Sequence, residues 1–335
     1  MPSLEPRGGH ETAEISWCSG RCSSPVATSS LGPTCGIAND WIPRPWLGER
    51  EQTLYDGFPS GMREKGYETG RDYVLESRYA DGDIPRLPAL AEELAKLRPQ
   101  VIVTGTEAAA IAAKQAAADT PIVGINMVDP IGNGMIKSVA RPRGNVTGTL
   151  QYLEGLTDKQ LELTRDMIAG ATTLGVLANA GNIISSGLRR EAEASAKKLG
   201  LRLVMQEVRA PDEIAPAFQE FARERANIVV VFRDAMFMAR RRQIASFALA
   251  ARLPTIYGFR EHVESGGLLS YGIDLRKSYR RAAYFVDRIL KGEKPADLPI
   301  EFPTKLELVI NSTTAKAIGL NIPSTLLARA DEVVE

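Results

Sequence analysis

Polar residues standing directly after short apolar runs are the first candidates for chemistry in this chain. Gly105-Thr106 follows Val101-Ile-Val-Thr104, and Asn126 through Asp129 follow Pro121-Ile-Val-Gly-Ile125. Asn179 closes Thr173-Leu-Gly-Val-Leu-Ala178, and Asp234 comes just after Ile228-Val-Val-Val-Phe232. Tyr257 ends Thr255-Ile-Tyr257, with Arg260 three residues beyond and Tyr271 in a later Ser-Tyr-Gly. Where such runs are parallel strands, ligands bind outside their carboxyl ends. Thr106 at a helix start offers free N–H groups and a positive dipole end to a carboxylate. Asp234 can accept from an amine or hydroxyl, and the Arg260 guanidinium can clamp a carboxylate with two parallel hydrogen bonds. Tyr257, Phe259 and Tyr271 add aromatic surface for a ring or an aliphatic body.

Each of these residues has a plainer role that the sequence leaves open. Thr106 and Asp234 read equally as helix N-caps, Asp129-Pro130 as the shaper of a turn, and Arg260 as a solvated surface arginine. Tyr271 can simply pack a junction. Catalytic patterns are missing: the chain has no phosphate loop, G-x-G-x-x-G, G-x-S-x-G elbow or H-E-x-x-H. The histidines are His10 and His262, in unrelated contexts, and Cys18-x-x-x-Cys22 is half a zinc site with no second pair. No metal or cofactor is expected, and an enzyme is the weaker alternative.

Composition narrows the class further. The 335 residues exceed one usual domain, and 44% hydrophobic with 24% charged residues describes an ordinary globular protein. Lys+Arg and Asp+Glu are both 41, so the charge balance offers no electrostatic capture of nucleic acid or of an anionic membrane. Arg240-Arg-Arg242 reads as the exposed face of a helix. No apolar run reaches the roughly 18–20 residues of a membrane span. Residues 1–35 lack the apolar segment of a signal peptide.

The elements that must position the candidates follow from about residue 51. Helices are predicted over Ile84 to Lys96, from Thr106 to Ala118, Gly187 to Leu199, Asp212 to Arg225, Met236 to Ala251, and through Leu290. Between them lie the short apolar runs, with strands also at Tyr73 to Tyr79, Leu201 to Val208 and Leu306 to Ile310. Alternation of this kind marks βαβ units and parallel sheets. It runs twice, so two similar α/β lobes are expected, joined by a hinge of several strands.

Two motifs and a tail then carry a resemblance. Asp129-Pro130-Ile131-Gly132 with Ala140-Arg-Pro-Arg-Gly144-Asn-Val-Thr-Gly148, and Leu253-Pro-Thr-Ile-Tyr-Gly-Phe-Arg-Glu261 with Gly266-Gly-Leu-Leu-Ser-Tyr-Gly272, resemble the ABC-transporter substrate-binding protein family that includes tryptophan- and phenylalanine-binding members. So do Leu308-Val-Ile-Asn311 and Leu326-Leu-Ala-Arg-Ala-Asp331. The resemblance implies a type I periplasmic-binding-protein fold and a small-molecule ligand between two Rossmann-like lobes. It also implies a permease partner with its ATPase, a periplasmic location, no nucleic-acid partner, and work as a monomer. An orphan sensor feeding a signalling receptor is the alternative. The expected division is residues 48–148 with 264–298 as lobe one and 149–263 with 299–331 as lobe two. Residues 1–47 depart from the family: Thr34 to Trp46 has no apolar run and two prolines where a first central strand belongs. They are therefore read as irregular, a mis-started or frame-shifted beginning.

Overall fold

The structure, a computed structural model, describes residues 34–39, 56–80, 82–151, 155–182, 185–303 and 305–335. Two sheets organise them. The first has the order β2-β1-β3-β4-β5, built from Thr34–Asn39, Val74–Tyr79, Val101–Thr104, Ile122–Met127 and Val146–Leu150 as β1 to β5. All its pairings are parallel. Its two innermost partners of known burial, β3 and β4, are wholly buried, which is why they read as unbroken apolar runs rather than alternations.

The strand Thr34–Asn39 corrects the expectation that residues 1–47 are irregular throughout. It lies between β2 and β3, matching Thr34 to Val74 and Cys35 to Val101. A central parallel strand uses N–H and C=O groups on both edges, and none of the six residues Thr34–Asn39 is a proline. The two prolines, Pro43 and Pro45, come after the strand has ended. The rest of that segment, with Cys18 and Cys22, lies outside the described residues.

The second sheet has the order β12-β11-β10-β9-β8-β6-β7. Its strands are Thr173–Asn179, Arg202–Val208, Ile228–Val231, Thr255–Tyr257, Leu269–Gly272, Glu307–Asn311 and Glu332–Val334, β6 to β12. Pairing is parallel except between β10 and β11. The boundary read from the sequence between residues 263 and 264 is placed too early. Leu269–Gly272 pairs with β9 and β11, so the chain leaves the second sheet only after Gly272.

Helices α1 to α6 are Gly57–Glu64, Leu87–Lys96, Glu107–Ala116, Leu156–Met167, Ser185–Leu199 and Ile214–Arg223; α7 to α12 are Ala235–Ala239, Arg241–Ala250, Arg260–Glu264, Leu275–Leu290, Ser312–Ile318 and Ser324–Leu327. The helix predicted over Met236 to Ala251 is two helices, parted at Arg240, whose φ of −104° and ψ of 14° leave the helical range. Helix α10 starts from the second sheet yet packs on the first. Tyr279, Ala282, Ala283, Phe285 and Val286 join Phe58 and Met62 of α1 and Val101, Val103 and Val123 in one apolar cluster. Gly57 and Gly61 make that approach possible: a Cβ on either would lie 2.5 Å from a carbonyl oxygen of α10. Three segments thus cross between the sheets, after β5, after β10 and before β11. The outer pair is joined by a parallel bridge of Thr149 to Glu301.

Candidate functional site

The carboxyl ends of β3, β4 and β5 present the first half of the site. Gly105 is buried after β3, and Thr106 caps α3, its hydroxyl accepting from the Ala109 N–H at 3.2 Å. At the end of β4 the backbone turns left-handed at Asn126, with φ of 59°. That position breaks the register between β4 and β5. The Asn126 N–H donates to Thr149 Oγ1 at 3.3 Å. Its side chain is only 2% exposed, and among the described residues neither Nδ2 nor Oδ1 has a hydrogen-bond partner. The same holds for Thr104 Oγ1 and Gln151 Nε2, both buried at neighbouring strand ends. An unpartnered polar group in a low-dielectric site costs on the order of 1–3 kcal/mol.

Beneath them, the Glu107 carboxylate accepts from the backbone N–H of Val128 and of Asp129, the latter at 2.7 Å, and from Asn133 Nδ2. Burial lifts its pKa above the usual carboxylate range against the pull of those three donors. Asp129 is exposed and closes a turn, its Oδ1 accepting from the Gly132 N–H at 2.8 Å. This is the turn-shaping role that the sequence allowed.

The carboxyl ends of β6 and β8 supply the second half. Asn179 accepts from the Gly181 N–H at 2.8 Å and donates through Nδ2 to Asp234 at 3.0 Å. Asn182 donates to the same Asp234 oxygen at 2.8 Å. The other oxygen accepts from the N–H of Met236 at 2.8 Å and of Phe237 at 3.2 Å, capping α7. Burial raises the Asp234 pKa above its ordinary value. Arg233 beside it is buried, its aliphatic stem lying where a Cβ on Gly258 would come within 2.4 Å. The two halves meet at Gly82, after β2. Its Cβ position is 3.3 Å from the Met236 Cα.

Two expected ligand contacts sit elsewhere. Tyr257 is fully buried and stacked on His262, with ring centroids 4.5 Å apart, and Phe259 is equally buried in the first sheet's cluster. Three-residue β9 ends inside the core, so its aromatic residues fill volume instead of lining a cleft. Arg260 is held by three carboxylates: Glu264 at 2.9 Å, Glu307 at 3.3 Å and Glu332 at 2.6 Å. These pairs tie it to β11 and β12. Tyr271 is half-buried against the second sheet's apolar cluster. Sequence reasoning missed Glu107, Gln151 and Arg233. Glu107 and Arg233 stand next to the candidates Thr106 and Asp234, and Gln151 directly follows β5, so widening the strand-end rule by one residue would have caught them.

Two mainly parallel sheets with polar carboxyl ends and three crossing segments are the architecture of periplasmic binding proteins, whose structures this chain resembles. A family model for ABC transporter substrate binding proteins matches residues 48–334, and the chain belongs to that family. A tyrosine-binding protein of Clostridioides difficile (strain R20291) is 27% identical over 264 residues, 79% of this chain and 76% of that protein. A conserved domain protein from Vibrio cholerae O1 biovar eltor superposes with a TM-score of 0.81 at 26% identity, covering 90% of this chain and 99% of the other. The ABC domain of Streptococcus pneumoniae in complex with L-Trp gives 0.81 at 25% identity, covering 90% and 100%. The family is one of extracytoplasmic binding proteins, not of enzymes, and implies a small-molecule ligand and an ABC permease. No described helix is long and apolar enough to cross a membrane.

Proposed function

We propose that the chain is the solute-binding component of an ABC importer and captures an amino acid or a small aromatic or organic carboxylate between its two sheets. The observation that carries this reading is Asn126, whose amide is buried with both polar atoms unpartnered among the described residues. An amide offers one acceptor and two donors, a match for the ammonium and the carboxylate of an amino acid. Gln151 adds a donor and Thr104 a hydroxyl, while Gly105, Thr106, Asn179 and Asp234 frame the space. Relatives named for tyrosine and crystallised with L-Trp support the same ligand class.

Closure about the three crossing segments is the mechanism that fits: a ligand touching both halves favours the closed form by its differential affinity, and the permease with its ATPase then accepts that form. The periplasm is the matching compartment. A thermal-shift screen against L-tryptophan, L-tyrosine, L-phenylalanine, aliphatic amino acids, aromatic acids and sugars tests the reading, with calorimetry on hits. Asn126→Gly keeps the left-handed backbone and removes the amide. It should weaken binding by roughly ten-fold or more. No binding by the wild type, or unchanged affinity in Asn126→Gly, sinks it.

A further inference from the structure

We propose that Glu107 is a positioning residue for the ligand site: its buried carboxylate ties the loop leaving β3 to the loop leaving β4 and so fixes the backbone at Asn126. The inference rests on the reading of Asn126 as a ligand contact.

Glu107 opens α3 and is 5% exposed. One of its oxygens takes two consecutive backbone donors, Val128 and Asp129, and the other takes Asn133 Nδ2. Two turns further along α3, Lys114 Nζ donates to the carbonyls of Gly134 at 3.1 Å and Met135 at 2.9 Å. The loop after β4 is therefore held along one face by a single helix, with the carboxylate at the end nearer Asn126. A left-handed asparagine persists only when its surroundings over-determine it. Upstream, Thr149 holds the Asn126 N–H. The carbonyl of the next residue, Met127, accepts from the Gln151 N–H at 2.7 Å. Downstream, Glu107 supplies the hold, beginning two residues after Asn126.

The arrangement distinguishes a carboxylate acting through its oxygens from one that merely fills space. A glutamine can present its own oxygen to Val128 and Asp129, and Asn133 turned over can accept from the new NH₂. An alanine restores none of the three bonds.

Hydrogen–deuterium exchange on ligand-free protein reads the tie directly. In Glu107→Ala, amides of residues 126–129 and 131–134 should exchange at least about ten-fold faster than in wild type, as expected for losing bonds to a charged acceptor, with the other strands unchanged. Calorimetry with L-tryptophan and L-tyrosine reads its consequence. Glu107→Ala should bind at least about ten-fold more weakly and Glu107→Gln within about three-fold of wild type. In an Asn126→Gly background the Glu107→Ala penalty should shrink below about two-fold, the coupling that acting through Asn126 demands. Unchanged exchange overturns the proposal, as does an equal penalty in both backgrounds. A wild type that binds neither amino acid removes the ligand reading and the effect on affinity with it, while the exchange result still decides the tie.

Discussion

Asn179 donates to Asp234 across 3.0 Å, and the bond joins the ends of β6 and β8. Asp234 then spends its remaining capacity on Asn182 and on two N–H groups at the start of α7. Four donors converge on a side chain only 3% exposed. The residue is therefore first a fixture of the site's second half, and any ligand would meet it already oriented.

Asp234→Ala should lower stability by about 2–3 kcal/mol, since it removes a cap and strands the Asn179 amide in a buried place. Asp234→Asn, which can still accept at α7, should lose less. Urea unfolding checks both, and equal stability of Asp234→Ala and wild type would refute the account.

Arg260→Ala should leave ligand affinity within about two-fold while lowering stability by about 1–3 kcal/mol, because its partners sit on α9, β11 and β12 and not at strand carboxyl ends. Calorimetry beside thermal unfolding separates the two effects. A large affinity loss would return Arg260 to the site.

Glu261 and His262 set opposing pH dependences. Burial pushes Glu261 from 4.5 up to about 7, with Glu264 and Asp274 adding to the rise and Arg276 opposing it. Burial also pushes His262 from 6.5 down to about 3, with the Arg241 charge adding to it. A raised acid makes stability fall as pH rises from 4.5 to about 7; a depressed histidine makes it fall as pH drops from 6.5 to about 3. Between pH 4.5 and 6.5 the two cancel. Relative to wild type, Glu261→Gln should gain up to about 1.4 kcal/mol per pH unit on raising the pH through that window, and His262→Gln should lose as much. Denaturant unfolding at several pH values reads the slopes, and parallel curves would contradict the burial of the pair.

Gly61→Ala should cost about 1–3 kcal/mol, because the added methyl meets the Arg280 carbonyl at 2.5 Å and the Ala283 Cβ at 2.8 Å. A carbonyl oxygen and an alanine Cβ leave no flexible side chain to give way. An unchanged melting temperature would mean that α1 and α10 sit further apart.

The βα alternation was legible because β3, β4, β6 and β8 are buried on both faces and read as short apolar runs. The strand Thr34–Asn39 was not, since small residues with one isoleucine carry no periodic signal and its place is set by the neighbours it pairs with. The strand-end rule picked out Asn126, Asn179 and Asp234 as candidates, and the structure places them at or just past the carboxyl ends of β4, β6 and β8. The ion pairs of Arg260 were not legible because two of its partners lie 47 and 72 positions away, beyond anything spacing can show. The full burial of Tyr257 was not legible because aromatic character does not tell a core from a cleft.

Helix α10 has a consequence for how the chain is made. Phe58 and Met62 find part of their apolar cover only in Tyr279, Phe285 and Val286, and the helix that bears them can dock only after most of the polypeptide has been synthesised. The first sheet must therefore wait, partly uncovered, through translation of nearly the whole second sheet, a long sequence separation of the kind that slows folding. Such a chain remains unfinished until late, and its final third acts as the clasp that closes both halves.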